Sequence, residues 1–463
     1  MQREPRQSTA DSARLPELRR LQGIALGALG RAHWLFLAAL VVQLPLVFNS
    51  GYFSHDELQW LSFADVPWPE IPWNGWFDFE PFQYRPLTFN LWLLLSHLFG
   101  YNPVTMHMLR VLVAAIVALL LRATMLAFGV SATRASIAVL AFLLLPEVIY
   151  THAWIGTYAD SLCLGFALAA ILLTLRADNA ASRATMLCIA LITGLLTALA
   201  LASKESAVLL PMLLLLAALR RLDRVLAAAI AGSAFVVAVY LALRLDTILF
   251  APRDSDVYAW SIARIPARLV EYAIYPFEFD RFDAAGAFWD THRRFAVICW
   301  VTTVAVAASA GWRALAVFCI GWAVALGPTL ILTFSASQYA YLAAAFVCGF
   351  FAVTWLQMPG IGRATLAGLA LIALMHGQYI AAEMRRIGAI QRALYEDLPQ
   401  LVATHATPLR IKAERTQEDI ILRRLVHQIP SYHGNPLGDR VLAVEYADTQ
   451  TADVVMSLDG RLH

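Results

Sequence analysis

"PVTMHMLRVLVAAIVALLLRATMLA", Pro103–Ala127, decides the fold class. It is apolar almost throughout, with Arg110 near one end and Arg122 near the other. About 20 such residues in a helix cross a ~30 Å hydrocarbon core. Working outward, comparable runs recur near 32–49, 135–150, 158–175, 184–202, 206–219, 225–243, 295–310, 314–334, 339–356 and 364–380. With 103–127 they predict about eleven spans. Composition agrees: 60% of the 463 residues are hydrophobic and 15% charged, against roughly 45–50% apolar and about 25% charged for a soluble chain. The expected fold class is an all-α polytopic membrane protein. A net charge of +2 says nothing of a nucleic-acid partner, no basic tract interleaved with aromatics appears outside the loops, and no nucleic-acid partner is expected.

Arginines set the expected topology. Arg3 to Arg31, then Arg122 with Arg134, Arg176 with Arg183, Arg220, Arg221 and Arg224, Arg313, and Arg363 fall in alternate short loops. The positive-inside rule places those loops in the cytoplasm, with the N-terminus inside and the C-terminus outside. Residues 1–31 read as a cytoplasmic amphipathic lead, because they lack a short apolar core followed by a cleavage site. Residues 32–380 read as the transmembrane domain, with long outer loops at 50–102 and 244–294. The tail, 381–463, carries "LRIKA", "EDIILRRLVHQI", "RVLAVEY" and "ADVVMSL", which alternate strand-like and helix-like periods. They predict a small α/β cap on the outer side. The five cysteines all lie in apolar runs and form no CxxC pair, so they read as packing residues.

Ionisable groups gather at the outer side. "FSHDELQW", Phe53–Trp60, sets His55, Asp56 and Glu57 just past the first span. Read as an extended segment, it points the two adjacent carboxylates to opposite faces. The same loop holds Trp60, Trp68, Trp73 and Trp76, which suit either an aromatic belt or stacking on sugar rings. Polar backbone at membrane depth is tolerated where it is buried or lines a wet cavity; a solvated loop is the plainer alternative. "YTHAWIGTYADSL" supplies His152 and Asp160, the latter either a helix-start carboxylate or a site residue. "LASKESAVLLP" supplies Lys204 and Glu205. Lys204 either snorkels or offers a compact charge to phosphate, and it and Lys412 are the only lysines in an arginine-rich chain. Arg110 lies within a span, where a charge costs roughly 2.5–3.5 kcal/mol and faces a cavity or a partner. Arg264 and Arg268 stand four apart on a segment suited to anionic headgroups at the membrane surface. "SASQYAYLAAAF" places Gln338 and Tyr339 at the outer start of a late span. No phosphate-cradling glycine loop, HExxH or GxSxG is present.

Together, "HDE" in the first outer loop, "QYRPLTF", "MHMLRVL", "YTHAWIGTYADSL", "SKESAVLLP" and "SQYAYLAAA" occur in an order and sidedness that resemble the GT-C integral-membrane glycosyltransferases. Within these the chain is most similar to the protein O-mannosyltransferase-like branch that includes TPR-bearing transmembrane mannosyltransferases. The resemblance covers roughly 32–356. His152 stands where that branch favours glutamate, Tyr158 where it favours arginine, and Gln338–Tyr339 where it favours Glu–Arg; the TPR repeats are replaced by the short tail.

The resemblance implies transfer of a sugar from a polyprenyl-phosphate donor to a periplasmic acceptor, on protein or glycan, in a bacterial inner membrane. It implies catalytic roles for Asp56, as base, and Glu57. The donor phosphate would meet Lys204, Arg110, Arg264 or Arg268. Substrate contacts would come from His55, Tyr84, Arg85, His152, Asp160, Glu205, Gln338 and Tyr339. Some members use a divalent metal, Mg or Mn, for which Glu57 and Asp160 could supply hard oxygen ligands. Besides the donor and acceptor, membrane lipids are the expected partners. Two competing classes remain: a transporter or flippase, which would place its site near the midplane between inverted repeats, and a non-catalytic scaffold, which would tolerate loss of Asp56.

Overall fold

The computed structural model describes residues 34–177, 182–218, 223–250, 259–279, 293–405, 408–446 and 452–463. The expected amphipathic lead at 1–31, Arg220 and Arg221, and parts of the second outer loop lie outside them. The described helices, in chain order, begin with α1 Trp34–Val47, α2 His55–Leu61, α3 Pro86–Phe99, α4 Pro103–Ala127 and α5 Ala132–Leu144. Next come α6 Pro146–Ala153, α7 Tyr158–Arg176, α8 Arg183–Leu201, α9 Leu210–Ala218 and α10 Arg224–Phe250. The remainder are α11 Ile265–Glu278, α12 Arg293–Ser309, α13 Trp312–Leu326, α14 Tyr341–Thr354, α15 Gly360–Thr404 and α16 Thr416–Val426.

Helix starts follow local chemistry. Asn102 accepts the Thr105 N–H at 3.0 Å, and Pro103 takes the first position of α4, where a missing N–H costs nothing. Ser182 caps α8 in the same way through the Thr185 N–H at 3.2 Å. Pro86 opens α3. The loop 50–102 contains two helices, α2 and α3, of which the second begins at a proline, a residue tolerated in a helix's first turn.

Seven helices among the described residues are long and apolar enough to cross a membrane, or eight if α5 and α6, bent by 62°, count as one span. The chain is a multi-pass membrane protein. The expected eleven spans differ from this for local reasons. The runs read at 32–49 and 206–219 are the shorter helices Trp34–Val47 and Glu205–Ala217, and the run at 295–310 is α12, of 17 residues. The run at 135–150 is broken because Leu145 precedes Pro146 and adopts an extended ψ of 147°. The bundle is drawn tight where small residues meet: a Cβ on Gly232 of α10 would lie 2.2 Å from the Ala190 carbonyl oxygen of α8.

The helix α15 has 45 residues, or about 67 Å at ~1.5 Å per residue, twice a ~30 Å hydrocarbon core. It runs unbroken through the 380/381 boundary expected between domains. Across that point Ile380, Met384, Ile387, Leu394 and Leu398 are buried at helical spacing. They join a core that unites α2, α6 and the C-terminal strands. There β1 Leu409–Ala413 lies between β4 Val441–Val444 and β5 Val454–Met456, parallel to both. Parallel neighbours need a crossover, and α16 supplies it between β1 and β4, burying Leu422 and Leu425 with Leu409 and Ile411. A short hairpin, β2 Ser431–Tyr432 with β3 Asn435–Pro436, follows α16.

Candidate functional site

Asp56 is the second residue of α2, a helix and not the extended segment its position suggested. Its neighbour Glu57 still points elsewhere, because successive helical residues are rotated by about 100°. Glu57 is 2% exposed. Its Oε2 accepts the N–H groups of Phe53 at 2.7 Å and Ser54 at 3.0 Å, and its Oε1 accepts that of Ile155 at 2.6 Å. Burial pushes its carboxyl up to about 7, against the lowering effect of these three donors. Glu57 thus fastens the start of α2 to the turn that joins α6 to α7. Asp56 is left partly exposed, with His55 Nε2 3.0 Å from its Oδ1.

Asp56 opens onto a cavity of about 280 Å³. Its charged lining is Asp56, Arg85, Asp160 and Lys204; Gln83, Gln338 and Tyr339 add polar groups. Trp60, Phe89, Trp92 and Trp154 form an aromatic wall. Lys204, buried, pairs with Asp160 at the first turn of α7, and its Nζ lies 4.8 Å from the Tyr339 ring centre. Arg85 holds Glu205 with Nε and Nη2, at 3.0 and 2.8 Å from Oε2. Both cations are anchored by carboxylates drawn from distant parts of the chain.

Other residues expected at the site lie elsewhere. Arg110 is 0% exposed and donates to Ser161 Oγ at 2.8 Å and to the carbonyls of Thr151 at 2.9 Å and Thr157 at 3.3 Å. It braces the turn that carries Gly156, Thr157 and Asp160 to the cavity. His152 is buried between Gln43 Oε1 at 2.8 Å and the Tyr341 hydroxyl at 2.9 Å. Tyr84 donates to the Trp76 carbonyl at 2.6 Å. Arg268 pairs with Glu271 and donates to the Thr333 carbonyl at 2.8 Å, and Arg264 is exposed at the head of α11. Of the four cations expected at a donor phosphate, Lys204 alone lines the cavity, joined there by Arg85.

Several contributors escaped the sequence reading, Gln83, Phe89 and Trp154 in the lining among them; two matter most. Arg244, 0% exposed, donates to the carbonyls of Phe79, Pro81 and Phe82 and lies over the Tyr84 ring. It holds the loop that delivers Gln83 and Arg85. Its signal was a lone arginine inside the apolar α10, which hydropathy alone reads as a span boundary. Trp92 stacks on Trp60 at 4.3 Å; it fell in the outer loop 50–102, of which the sequence reading singled out Trp60, Trp68, Trp73 and Trp76 and not Trp92. A divalent ion does not fit the ligands expected for it. Glu57 spends both oxygens on backbone N–H groups and Asp160 is paired with Lys204. Among the described residues no three His, Cys, Asp or Glu side chains gather as metal ligands.

No family model matches the chain, and no curated protein matches it in sequence. Two solved structures are similar in overall trace. One is the Archaeoglobus fulgidus oligosaccharyltransferase tethered with an acceptor peptide containing the NVT sequon. It has a TM-score of 0.45 and 10% identity, covering 90% of this chain and 64% of that one. The other is ArnT from Cupriavidus metallidurans bound to undecaprenyl phosphate, with a TM-score of 0.47 and 15% identity, covering 89% of this chain and 86% of that one. The chain therefore spans a little under two thirds of the archaeal protein's length, 64%.

Proposed function

We propose that this chain is a GT-C-type glycosyltransferase that moves a sugar from a polyprenyl-phosphate donor to an acceptor hydroxyl. The acceptor belongs to a protein, glycan or lipid at the periplasmic face of a bacterial inner membrane. The observation that carries this reading is the meeting of Asp56, Lys204 and Arg85 in one cavity. A carboxylate beside paired, anchored cations suits a reaction that removes a proton on one side and releases a phosphate on the other. In that reaction the Asp56 carboxylate takes the acceptor hydroxyl proton as its oxygen attacks the sugar's anomeric carbon. The bond from that carbon to the donor oxygen breaks, and its electron pair leaves with the lipid phosphate. Lys204 and Arg85 oppose the charge that develops there. His55 orients the Asp56 carboxylate. A positioned base contributes roughly 10²–10⁴-fold.

The test is Asp56→Asn, which keeps shape but not basicity. Sugar transfer in membranes should fall by about 10²-fold or more while donor binding persists. Near-parental transfer by the variant overturns the mechanism.

A further inference from the structure

The C-terminal unit reaches the back of the cavity wall through one side chain. On α16, Leu422 and Leu425 turn into the C-terminal core, while Arg424 and His427, three apart at its end, share another face. That face meets the start of α2, where the His427 ring lies edge-on to His55 at 5.2 Å. Arg424 is half-buried there. Its guanidinium carbon lies 4.4 Å from the centre of the Phe53 ring and 5.9 Å from that of Trp154. Both fall inside the ~6 Å reach of a cation–π contact. The guanidinium also donates to the Tyr150 hydroxyl.

The three rings that Arg424 touches form one cluster. Phe53 lies 5.7 Å from both Tyr150 and Trp154, and Tyr150 lies 5.8 Å from Trp154, all three pairs edge-on. Phe53 and Tyr150 are buried, so water competes little for the guanidinium, and a cation–π contact is strongest when desolvated. Of the three rings only Trp154 also lines the cavity. The turn that begins at Trp154 carries Gly156 and Thr157 to the cavity and leads to Asp160, the partner of Lys204. A shift of the Trp154 ring is therefore passed to the residue that holds the cavity's lysine.

Resting on the transfer reading above, we propose that Arg424 is a positioning residue supplied by the C-terminal unit. Its guanidinium seats Trp154 in the cavity wall and thereby sets the affinity of the site for a lipid phosphate. A planar guanidinium suits the task, because it stacks on aromatic faces and keeps its charge. The site is then incomplete without the C-terminal unit, although none of that unit's described residues lines the cavity.

The experiment uses the full chain in lipid nanodiscs, labelled with fluorotryptophan, and a short-chain polyprenyl phosphate as the probe. The Trp154 fluorine resonance is assigned by its loss in Trp154→Phe. Arg424→Gln, which removes the charge, should move that resonance and weaken probe binding by about tenfold, the scale of one desolvated cation–π contact. The number of binding sites per chain should not change. Arg424→Lys, which keeps a cation over the rings, should bind the probe more tightly than Arg424→Gln does. A C-terminal unit that had merely come loose would instead lower the number of competent sites and leave their Kd as it was. That result, an unmoved resonance, a parental Kd in Arg424→Gln, or no recovery with lysine overturns the proposal and leaves the transfer reading standing. If Arg424→Gln does not fold, Arg424→Met takes its place in the same measurements and is judged in the same way. A parental chain that does not bind the probe sinks the transfer reading, and this proposal with it.

Discussion

Lys204 shows what a single residue is asked to do here. It is one of two lysines in the chain, and its ammonium is buried against Asp160 beside the Tyr339 ring. Two roles follow: balancing a buried carboxylate, and offering its remaining donors to a phosphate. They separate in a double-mutant cycle. Lys204→Met alone leaves Asp160 uncompensated, which for a buried pair costs about 3–5 kcal/mol. Asp160→Asn alone strands the ammonium. The double variant should recover much of the thermal stability lost in either single one, measured by unfolding in detergent. Donor affinity should stay low in the double variant, because the charge is gone. Parental donor affinity there would confine Lys204 to its structural role. The composition bias made this residue stand out. Arg110 stood out as well, and the same physics applied to it: an intramembrane charge needs a partner. What hydropathy does not carry is whether that partner is a substrate or three oxygens of the protein itself, and for Arg110 it is the protein.

At the scale of elements, α2 is held from two sides. Glu57 ties it to the turn before α7, and the C-terminal unit packs against it as well. Gln59 Nε2 donates to the His427 carbonyl at 3.1 Å, and the rings of His55 and His427 meet edge-on at 5.2 Å. A second contact closes the arrangement. Asp65 Oδ2 accepts from the Tyr101 hydroxyl at 2.6 Å, Ser431 Oγ at 2.8 Å and the Gly434 N–H at 3.0 Å. Burial alone would raise the Asp65 carboxyl, and these donors outweigh it and hold it below the ordinary carboxylate range. Its contribution is therefore present above the unfolded-state value and lost only as the pH falls through the depressed one. Asp65→Ala should speed hydrogen exchange across the β2–β3 hairpin and α16, and lower transfer several-fold, with the membrane bundle still folded. Unchanged exchange there would mean the contact does not hold the unit in place. The strands and α16 were legible because apolar residues alternate in "LRIKA" and recur at helical spacing in "EDIILRRLVHQI". The C-terminal half of α15 was missed although its pattern was just as regular. The appearance of Glu383, Arg385 and Arg386 after an apolar run ended the span by hydropathy, while the helix continued as an amphipathic one.

The whole molecule is polarised, and its polarity can be tested. Arg122 and Arg134 flank the α4–α5 connection, Arg176 and Arg183 the α7–α8 connection, and Arg224, Arg313 and Arg363 stand at the starts of α10, α13 and α15. The cavity residues come from the opposite ends of these helices: Asp160 opens α7, Lys204 follows α8, and Gln338 and Tyr339 precede α14. Short arginine-bearing connections stay in the cytoplasm, which would put the cavity on the far side. The helix α15 starts at the arginine-bearing end and is twice as long as the hydrocarbon core is thick, so it should deliver the C-terminal sheet to the cavity side. Alkaline phosphatase is active only outside the cytoplasm and green fluorescent protein folds well inside it, so paired fusions give opposite readouts. Fusion after His463 should be phosphatase-active and dark, and fusion after Gly129, in the α4–α5 connection, should be fluorescent and phosphatase-inactive. The reverse pattern would put Asp56 and its cavity in the cytoplasm. A soluble nucleotide-linked sugar would then be as accessible as a lipid-linked one, and the case for a polyprenyl-phosphate donor would lose its geometric basis.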